Sequence, residues 1–179
     1  MGDQGSMQGV VVGVADMAIG RESQGRIITY ALGSCIGLSA FDPVAKVGGL
    51  LHYMLPQPAE QADPKTLKPY MYATTGIPLL VRKLTEAGAQ QSRLIVCAAG
   101  GAEILEGAAT LAIGKRNRTT LRKVLWKMGI TLVAEDTGGS IARTMTLDLS
   151  RGDVGIRSRD HEGLLWAPGM KVTVQKAEP

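Results

Sequence analysis

Short β-branched runs separated by turn residues occupy the first part of the chain. The runs end at polar or turn-forming residues, of which Asp42-Pro43 and Pro56 are the clearest. Apolar runs of this length with such boundaries are typical of β-strands joined by tight turns. The pattern predicts antiparallel strands over residues 10–15, 26–30, 36–41 and 46–54.

Two later segments carry apolar residues at helical spacing. The first repeats at Ile77, Leu80, Val81 and Leu84, and the second at Leu121, Val124, Leu125 and Met128. Intervals of i, i+3, i+4 and i+7 place such residues on one face of a helix. Pro78 then falls in the first turn of the first helix, while Gly88 and Gly129 suit the positions just past the two helix ends. Asn117 or Thr119 is expected to cap the start of the second helix.

The remaining apolar runs predict five more strands, over residues 94–99, 131–135, 144–149, 154–157 and 171–174. Residues 57–70 contain three prolines and no periodicity, which predicts a loop. It follows the 46–54 strand directly, so it is placed to form the rim or lid of a site there. The resulting order is ββββ-α-β-(α)-α-ββββ. It predicts an α+β fold, one domain of mixed β-sheets in layers with helices packed on one side.

Composition narrows the class of protein. A chain of 179 residues with 45% hydrophobic residues fits one globular domain, and 23 glycines fit a fold with many turns. No apolar run reaches the roughly 20 residues of a membrane span, and no secretory signal is recognisable. Gly5-Ser6-Met7 resembles a cloning scar, so the predicted domain is residues 7–179 and residues 1–6 are left outside it. Two cysteines without an export signal predict reduced thiols in the cytoplasm.

Cys35 and His52 are the strongest candidates for chemistry. Cys35 is surrounded by small residues between two predicted strands, which leaves room for a substrate. A hairpin that turns at Asp42-Pro43 brings Cys35 and His52 to the same end of adjacent strands, where an imidazole can activate a thiol. The same spacing is equally compatible with a packed cysteine and a hydrogen-bonded core histidine.

The backbone and side chains near Cys35 supply further candidates. Thr29 lies on the preceding predicted strand and can approach as a third polar group. The backbone at Gly33 and Ser34 is a candidate oxyanion region, because small residues let N–H groups face a common point.

Other candidate sites favour structural interpretations. Cys97 lies within an apolar strand, where a free cysteine acts as a small hydrophobe, and His161 lies in a charged turn. Two cysteines and two histidines without CxxC or HxxxH spacing predict no metal site, and Gly100-Gly101 lacks the context of a nucleotide-binding loop, so no cofactor is expected. The basic residues between 115 and 127 favour a solvated helix face over nucleic-acid binding, because the net charge is only +4 and aromatics are few.

Several motifs occur in one order along residues 9–158. They are Gly33-Ser34-Cys35, His52-Tyr-Met-Leu-Pro56, Gly100-Gly101-Ala102, Ile113-Gly-Lys-Arg-Asn117 and Ala134-Glu-Asp-Thr-Gly-Gly139. Together they resemble the CheD family of chemoreceptor glutamine deamidases, for which the paired GSC and HxMLP motifs are specific. The resemblance covers nearly the whole predicted domain.

The resemblance implies a cysteine hydrolase that converts receptor glutamines to glutamate and releases ammonia. It implies Cys35 as nucleophile, His52 as base and Thr29 as third member of the triad. It also implies methyl-accepting chemoreceptors as substrates and a CheC phosphatase as partner. The protein would then meet the membrane only through these receptors. Two alternatives stay open. One is a non-catalytic module that binds receptor or CheC, and the other is a receptor glutamyl methylesterase that uses the same dyad.

Three departures from the family pattern lie away from the dyad. Thr74 stands where the family usually has aspartate, and Ser140 where asparagine is commoner. Val96-Cys97 replaces a more usual lysine and aromatic residue. These positions bear on substrate and partner contacts rather than on the chemistry.

Overall fold

Ten strands and two α-helices form within the residues that the computed structural model describes, 9–103 and 112–172. The strands are β1 (Gly9–Val12), β2 (Asp16–Arg21), β3 (Arg26–Leu32), β4 (Ile36–Asp42), β5 (Val47–Tyr53), β6 (Ile95–Gly100), β7 (Leu132–Thr137), β8 (Arg143–Asp148), β9 (Val154–Arg157) and β10 (Glu162–Trp166). The helices are α1 (Ala73–Glu86) and α2 (Ile113–Lys127).

The strands form two five-stranded sheets. Sheet I has the order β1-β3-β8-β9-β10, and sheet II has the order β2-β5-β4-β6-β7. Pairing is antiparallel throughout, except that β1 and β3, and β6 and β7, are parallel. The predicted α+β class with mixed sheets is confirmed. The hairpin of β4 and β5 lies in the middle of sheet II. It carries His52 on β5, and Cys35 directly precedes β4.

Two apolar clusters hold three layers together. The helices pack on one face of sheet II through a cluster that includes Leu38, Leu51, Tyr53, Ile77, Leu80, Leu121 and Leu125. The opposite face of sheet II packs on sheet I through Ile27, Leu32, Leu50, Met145, Leu147 and their neighbours. Successive side chains of a strand point to opposite faces. Since Leu51 and Tyr53 of β5 face the helices, Leu50 and His52 face the space between the sheets.

The turn between β4 and β5 is fixed by a buried carboxylate. Asp42 is fully buried and accepts hydrogen bonds from the N–H groups of Val44 and Gln90 at 2.9 and 2.8 Å, and from the Arg93 guanidinium at 2.7 Å. Burial alone would raise the pKa of Asp42, but the bonds from Arg93 and the backbone outweigh it and hold that pKa well below its usual range. The predicted hairpin at this turn is confirmed.

Most predicted strands are confirmed within one or two residues, with three exceptions. The run at 10–15 does not form one antiparallel strand, because β1 ends at Val12 and pairs in parallel with β3, while a separate strand, β2, begins at Asp16. Near the other end of the described residues, β10 forms at Glu162–Trp166, where no strand was predicted. Of the predicted strand at 171–174, residues 171–172 are not in a strand and the rest lie outside the described residues.

Both helices begin earlier than their apolar spacing predicted. Pro78 lies inside α1 rather than in its first turn, because the helix starts at Ala73. Asn117 and Thr119 lie inside α2 and cap nothing. The predicted ends are confirmed, since Gly88 and Gly129 follow the helices with φ of 103° and 67°. A further helix, predicted between the 94–99 strand and α2, falls largely on residues 104–111, outside the described residues.

Other predictions concern the surface. Residues 57–70 form a loop, with a short 3-10 turn at Pro69–Met71, and most of the basic side chains of α2 are exposed as expected. Neither α-helix in the described parts of the chain is long and apolar enough to cross a membrane.

Candidate active site

His52 lies on β5 in the interior between the two sheets. Its side chain is 1% exposed, and its cross-strand neighbours are Gly37 on β4 and Asp16 on β2. A Cβ atom at Gly37 would come within 2.8 Å of Leu32 and 3.2 Å of Met145. Sheet I therefore approaches β4 closely beside the imidazole, and water is largely excluded from this position.

Thr29, on β3 of sheet I, fixes the proton on the His52 ring. Its hydroxyl oxygen lies 2.8 Å from Nδ1 of His52, and it donates its one hydrogen to the carbonyl oxygen of Val12 at 2.7 Å. The hydroxyl must therefore accept a hydrogen bond from Nδ1–H. The free lone pair is then on Nε2, which is buried and has no hydrogen-bond partner among the described residues. The bond to Thr29 therefore leaves Nε2 as a free proton acceptor.

Cys35 lies directly before β4, two residues from the glycine that faces His52. When the pairing of β4 and β5 is extended by one residue to Cys35, Cys35 becomes the diagonal neighbour of His52. The Cα atoms of such diagonal neighbours lie about 7–8 Å apart. The Cys35 side chain is partly buried and packs against the apolar cluster between the sheets. The structure thus brings Thr29, His52 and Cys35 to one place, with the thiol as the group nearest solvent.

Three consecutive carbonyl groups anchor the segment that carries the thiol. The carbonyl of Gly33 accepts a hydrogen bond from the N–H of Ala102 at 2.9 Å, and that of Cys35 accepts one from Gly101 at 2.8 Å. Between them, the carbonyl of Ser34 accepts a bond from the Asn117 side chain at 2.9 Å. The position of the thiol is therefore set by the loop after β6 and by helix α2.

Gly100 is required where β6 meets the Cys35 segment. Its φ is 105°, and a Cβ atom there would lie 2.2 Å from the carbonyl oxygen of Cys35. Gly138 supports the same junction, because its N–H donates to the carbonyl of Gly100 at 2.9 Å. The glycines of two sequence motifs thus allow the backbone to approach the candidate nucleophile.

Burial shifts both candidate groups toward their neutral forms. It lowers the pKa of His52 to about 4, and it raises the pKa of the Cys35 thiol despite a smaller opposing effect from the backbone N–H of Cys35 itself. At neutral pH the resting pair is therefore a thiol and an uncharged imidazole rather than a thiolate and an imidazolium.

The candidate oxyanion region has two distinct parts. The N–H of Gly33 donates to the carbonyl of Ala31 at 2.8 Å, so it is already used. The N–H groups of Ser34 and Cys35 have no backbone acceptor among the described residues, and that of Cys35 lies close enough to its own sulfur to influence the thiol pKa. The donors available to an oxyanion are therefore those of Ser34 and Cys35.

The remaining cysteine and histidine lie elsewhere, as the sequence predicted. Cys97 is fully buried on β6, and burial raises its pKa to about 12. His161 lies in an exposed turn between β9 and β10. Among the described residues, no three His, Cys, Asp or Glu side chains are grouped so as to hold a metal ion.

Sequence reasoning missed one side chain of the site. The sequence predicts Asn117 as a helix cap, but it is fully buried within α2 and bonds to the Cys35 segment. Its place in the Ile113-Gly-Lys-Arg-Asn117 motif was the available signal. Ser34 and Asn117 are 83 positions apart, and this separation hid the contact.

Comparison with known proteins assigns the family. The chain matches the model of the family described as CheD chemotactic sensory transduction over residues 54–158. A protein of Solibacter usitatus named "Probable chemoreceptor glutamine deamidase CheD" is 49% identical over 146 residues, which cover 82% of this chain and 86% of that protein. One of the same name from Pyrococcus abyssi is 44% identical over 150 residues, covering 83% and 90%. The chain belongs to the CheD family.

The relatives also cover the part of the chain that holds the candidate dyad. The family match begins at Met54, just after His52. A Syntrophus aciditrophicus protein named "Probable chemoreceptor glutamine deamidase CheD 1" is 41% identical over 152 residues, covering 85% of this chain and 95% of that protein. A match of 152 residues in a chain of 179 begins at or before residue 28. It therefore includes Thr29, Cys35 and His52.

Proposed function

We propose that this protein is a chemoreceptor glutamine deamidase that hydrolyses receptor glutamine side chains to glutamate and releases ammonia. The observation that carries the proposal is the hydrogen-bond chain from Val12 through Thr29 to His52, which leaves Nε2 free on a ring that lies diagonally across the strand pair from Cys35. Membership of the CheD family, whose relatives are named for this activity, supplies the substrate class.

The first half of the reaction forms a thioester. Nε2 of His52 takes the proton from Cys35 as the sulfur attacks the δ-carbonyl carbon of a receptor glutamine. The carbonyl oxygen becomes an oxyanion, which accepts hydrogen bonds from the N–H groups of Ser34 and Cys35. As the intermediate collapses, the C–N bond breaks and the imidazolium returns its proton to the departing nitrogen. Ammonia leaves, and the glutamyl group remains on Cys35.

The second half of the reaction frees the receptor from Cys35, with a glutamate side chain in place of the glutamine. His52 takes a proton from water, and the resulting hydroxide attacks the thioester carbon. The C–S bond then breaks and the sulfur regains the proton from Nε2. Thr29 keeps Nδ1 protonated through both halves, so that only Nε2 exchanges protons with substrate.

The neutral resting pair suits a substrate that displaces water. Because burial disfavours both charged forms, the thiolate and imidazolium form only as an electrophilic carbon is placed to receive the sulfur. This makes chemistry depend on the exact placement of the thiol against Nε2.

Location and partners follow from the proposed substrate. Receptor glutamines open to a deamidase lie on the cytoplasmic part of the receptor, so we place the enzyme in the cytoplasm, at the membrane only through receptors. A CheC phosphatase is proposed as a regulatory partner, as the family resemblance implies.

The test is incubation of the protein with a receptor cytoplasmic fragment, followed by peptide mapping. Deamidation raises a peptide mass by about 1 Da, whereas hydrolysis of a glutamyl methyl ester lowers it by about 14 Da, and both use the same nucleophile. With the wild-type protein we expect the 1 Da increase and release of ammonia. With Cys35→Ala we expect neither. A Cys35→Ala protein as active as the wild type would overturn the mechanism. Receptor binding without any mass change would instead favour the interaction module.

A further inference from the structure

Asn117 joins the segment that carries the thiol to the strand that carries the base. One hydrogen of its side-chain amide nitrogen is donated to the carbonyl of Ser34 and the other to the carbonyl of Met54, both at 2.9 Å. Ser34 immediately precedes Cys35, and Met54 follows His52 by two residues. Both donors of one amide are therefore used on the two backbones that carry the dyad.

The orientation of this amide is fixed by its partners. If the group were turned over, its oxygen would face two carbonyl oxygens and both hydrogen bonds would be lost. In the observed orientation Oδ1 is buried and has no partner among the described residues. A buried acceptor without a donor is unfavourable, because it has lost its hydrogen bond to water and gained none in return. The side chain is thus a poor choice for stability alone.

Contacts with β5 and with the loop after β6 hold α2 in place. Tyr53, next to His52 on β5, donates its hydroxyl hydrogen to the backbone carbonyl of Asn117 at 3.1 Å. At the start of the helix, a Cβ atom on Gly114 would lie 2.5 Å from the carbonyl oxygen of Ala102. The helix therefore packs directly on the loop that anchors Cys35.

We infer that Asn117 is a positioning residue that sets the distance between the Cys35 thiol and Nε2 of His52. The inference rests on the proposed function and adds a residue that acts through the dyad without touching the substrate. Because the resting pair is neutral, proton transfer requires the two groups to be brought to contact as substrate binds. A displacement of about 1 Å in such a pair costs on the order of 100-fold in rate.

The first test compares Asn117→Leu with Ser39→Ala. Leucine keeps the branched shape of asparagine but removes both donors. Ser39→Ala removes one buried hydrogen bond, to the carbonyl of Cys97 within sheet II, and leaves both amide bonds intact. We expect kcat for deamidation to fall about 100-fold in Asn117→Leu with KM within about twofold of wild type. Ser39→Ala should retain kcat within about threefold. Equal kcat values in the two variants would overturn the inference.

A second measurement separates positioning from loss of fold. The rate at which iodoacetamide alkylates Cys35 at pH 7 is measured in four proteins. They are the wild type, His52→Ala, Asn117→Leu and the double variant. We expect His52→Ala to slow alkylation about tenfold in the wild type and less than twofold in Asn117→Leu, because the two groups are no longer coupled. An equal effect in both backgrounds would contradict the inference. If Asn117→Leu does not fold, Asn117→Ser, which keeps one donor, replaces it, with an intermediate kcat expected and a wild-type kcat contradicting the inference.

The two proposals fail in different ways. A wild-type protein that releases no ammonia from any receptor fragment contradicts the deamidase function. The alkylation comparison needs no receptor, so it still decides whether Asn117 couples Cys35 to His52.

Discussion

The two cysteines of this protein lie on neighbouring parts of sheet II and have opposite properties. Cys97 is in the middle of β6, where burial raises its pKa to about 12 and the N–H of Ala134 and the hydroxyl of Ser39 lie near its sulfur. Cys35 lies just before β4, where it is partly exposed and diagonally across the strand pair from His52. The same side chain is enclosed inside a ladder and reaches solvent where the ladder begins. Position along the strand, rather than residue type, makes the difference.

The largest effect expected is from loss of the base beside Cys35. His52→Ala should lower kcat for ammonia release about 10³-fold, since general-base assistance contributes typically 10²–10⁴-fold. His161→Ala, at the only other histidine, serves as the control and should leave the rate unchanged. Comparable losses of kcat in the two variants would mean that His52 does not act as the base for Cys35.

Labelling compares the two thiols directly. Iodoacetamide should modify Cys35 about 100-fold faster than Cys97 in the folded protein, because Cys97 is fully buried and its pKa is raised to about 12. Peptide mapping after timed quenching measures both rates in one sample. In denaturant the two rates should converge. Equal rates without denaturant would show that the two environments do not differ as described.

Glycine at the end of β6 links the two regions. Gly100→Ala should lower the free energy of unfolding by about 3 kcal/mol or more, because the new Cβ meets the carbonyl oxygen of Cys35 at a positive φ. Gly129→Ala is the matched control, since its φ is also positive but nothing lies within 4 Å of its Cβ position. It should cost about 1 kcal/mol, measured by urea unfolding. Equal losses would mean that the contact with Cys35 is not tight.

The threonine beside the base gives a smaller effect. Thr29→Val keeps the shape of the side chain but leaves Nδ1 of His52 without its acceptor, so either nitrogen can carry the proton. We expect kcat to fall about tenfold, while Thr29→Ser, which retains the hydroxyl, should remain within about twofold. A valine variant as active as the serine variant would show that the tautomer is fixed by something else.

The pH profile should show the smallest change. With the pKa of His52 lowered to about 4, Nε2 is unprotonated above that pH, so the base remains available in mild acid. kcat/KM at pH 5.5 should be about 97% of its plateau, whereas an ordinary histidine of pKa about 6.5 would leave about one-tenth. An acid limb centred near pH 6.5 would show that the imidazole is not desolvated. Activity should fall again only in alkali, as the thiol ionises.

Sequence reasoning predicted the parts of the fold that local pattern controls. The hairpin of β4 and β5 follows from apolar runs on either side of the Asp42-Pro43 turn, and its geometry places Cys35 near His52. The CheD family, predicted from the motifs, is confirmed by the matching relatives. These features depend on residues that are near one another in sequence.

Features that depend on distant contacts were missed. β2 contains Asp16 and Gly20 and has little strand character of its own, so its pairing with β5 determines it. The start of α2 was hidden by Gly114, which is needed where the helix meets the carbonyl of Ala102. Asn117 looked like a cap because its partners, Ser34 and Met54, are more than 60 residues away.

The long span of that last contact has a consequence for the order of events during synthesis. Thr29, Cys35 and His52 leave the ribosome early, but the donor that joins their two segments is 63 residues beyond Met54. Contacts of such separation form late in folding, because a large loop must close first. A partly made chain that lacks α2 therefore lacks the amide that joins these two segments. We expect such incomplete chains to be inactive toward receptors.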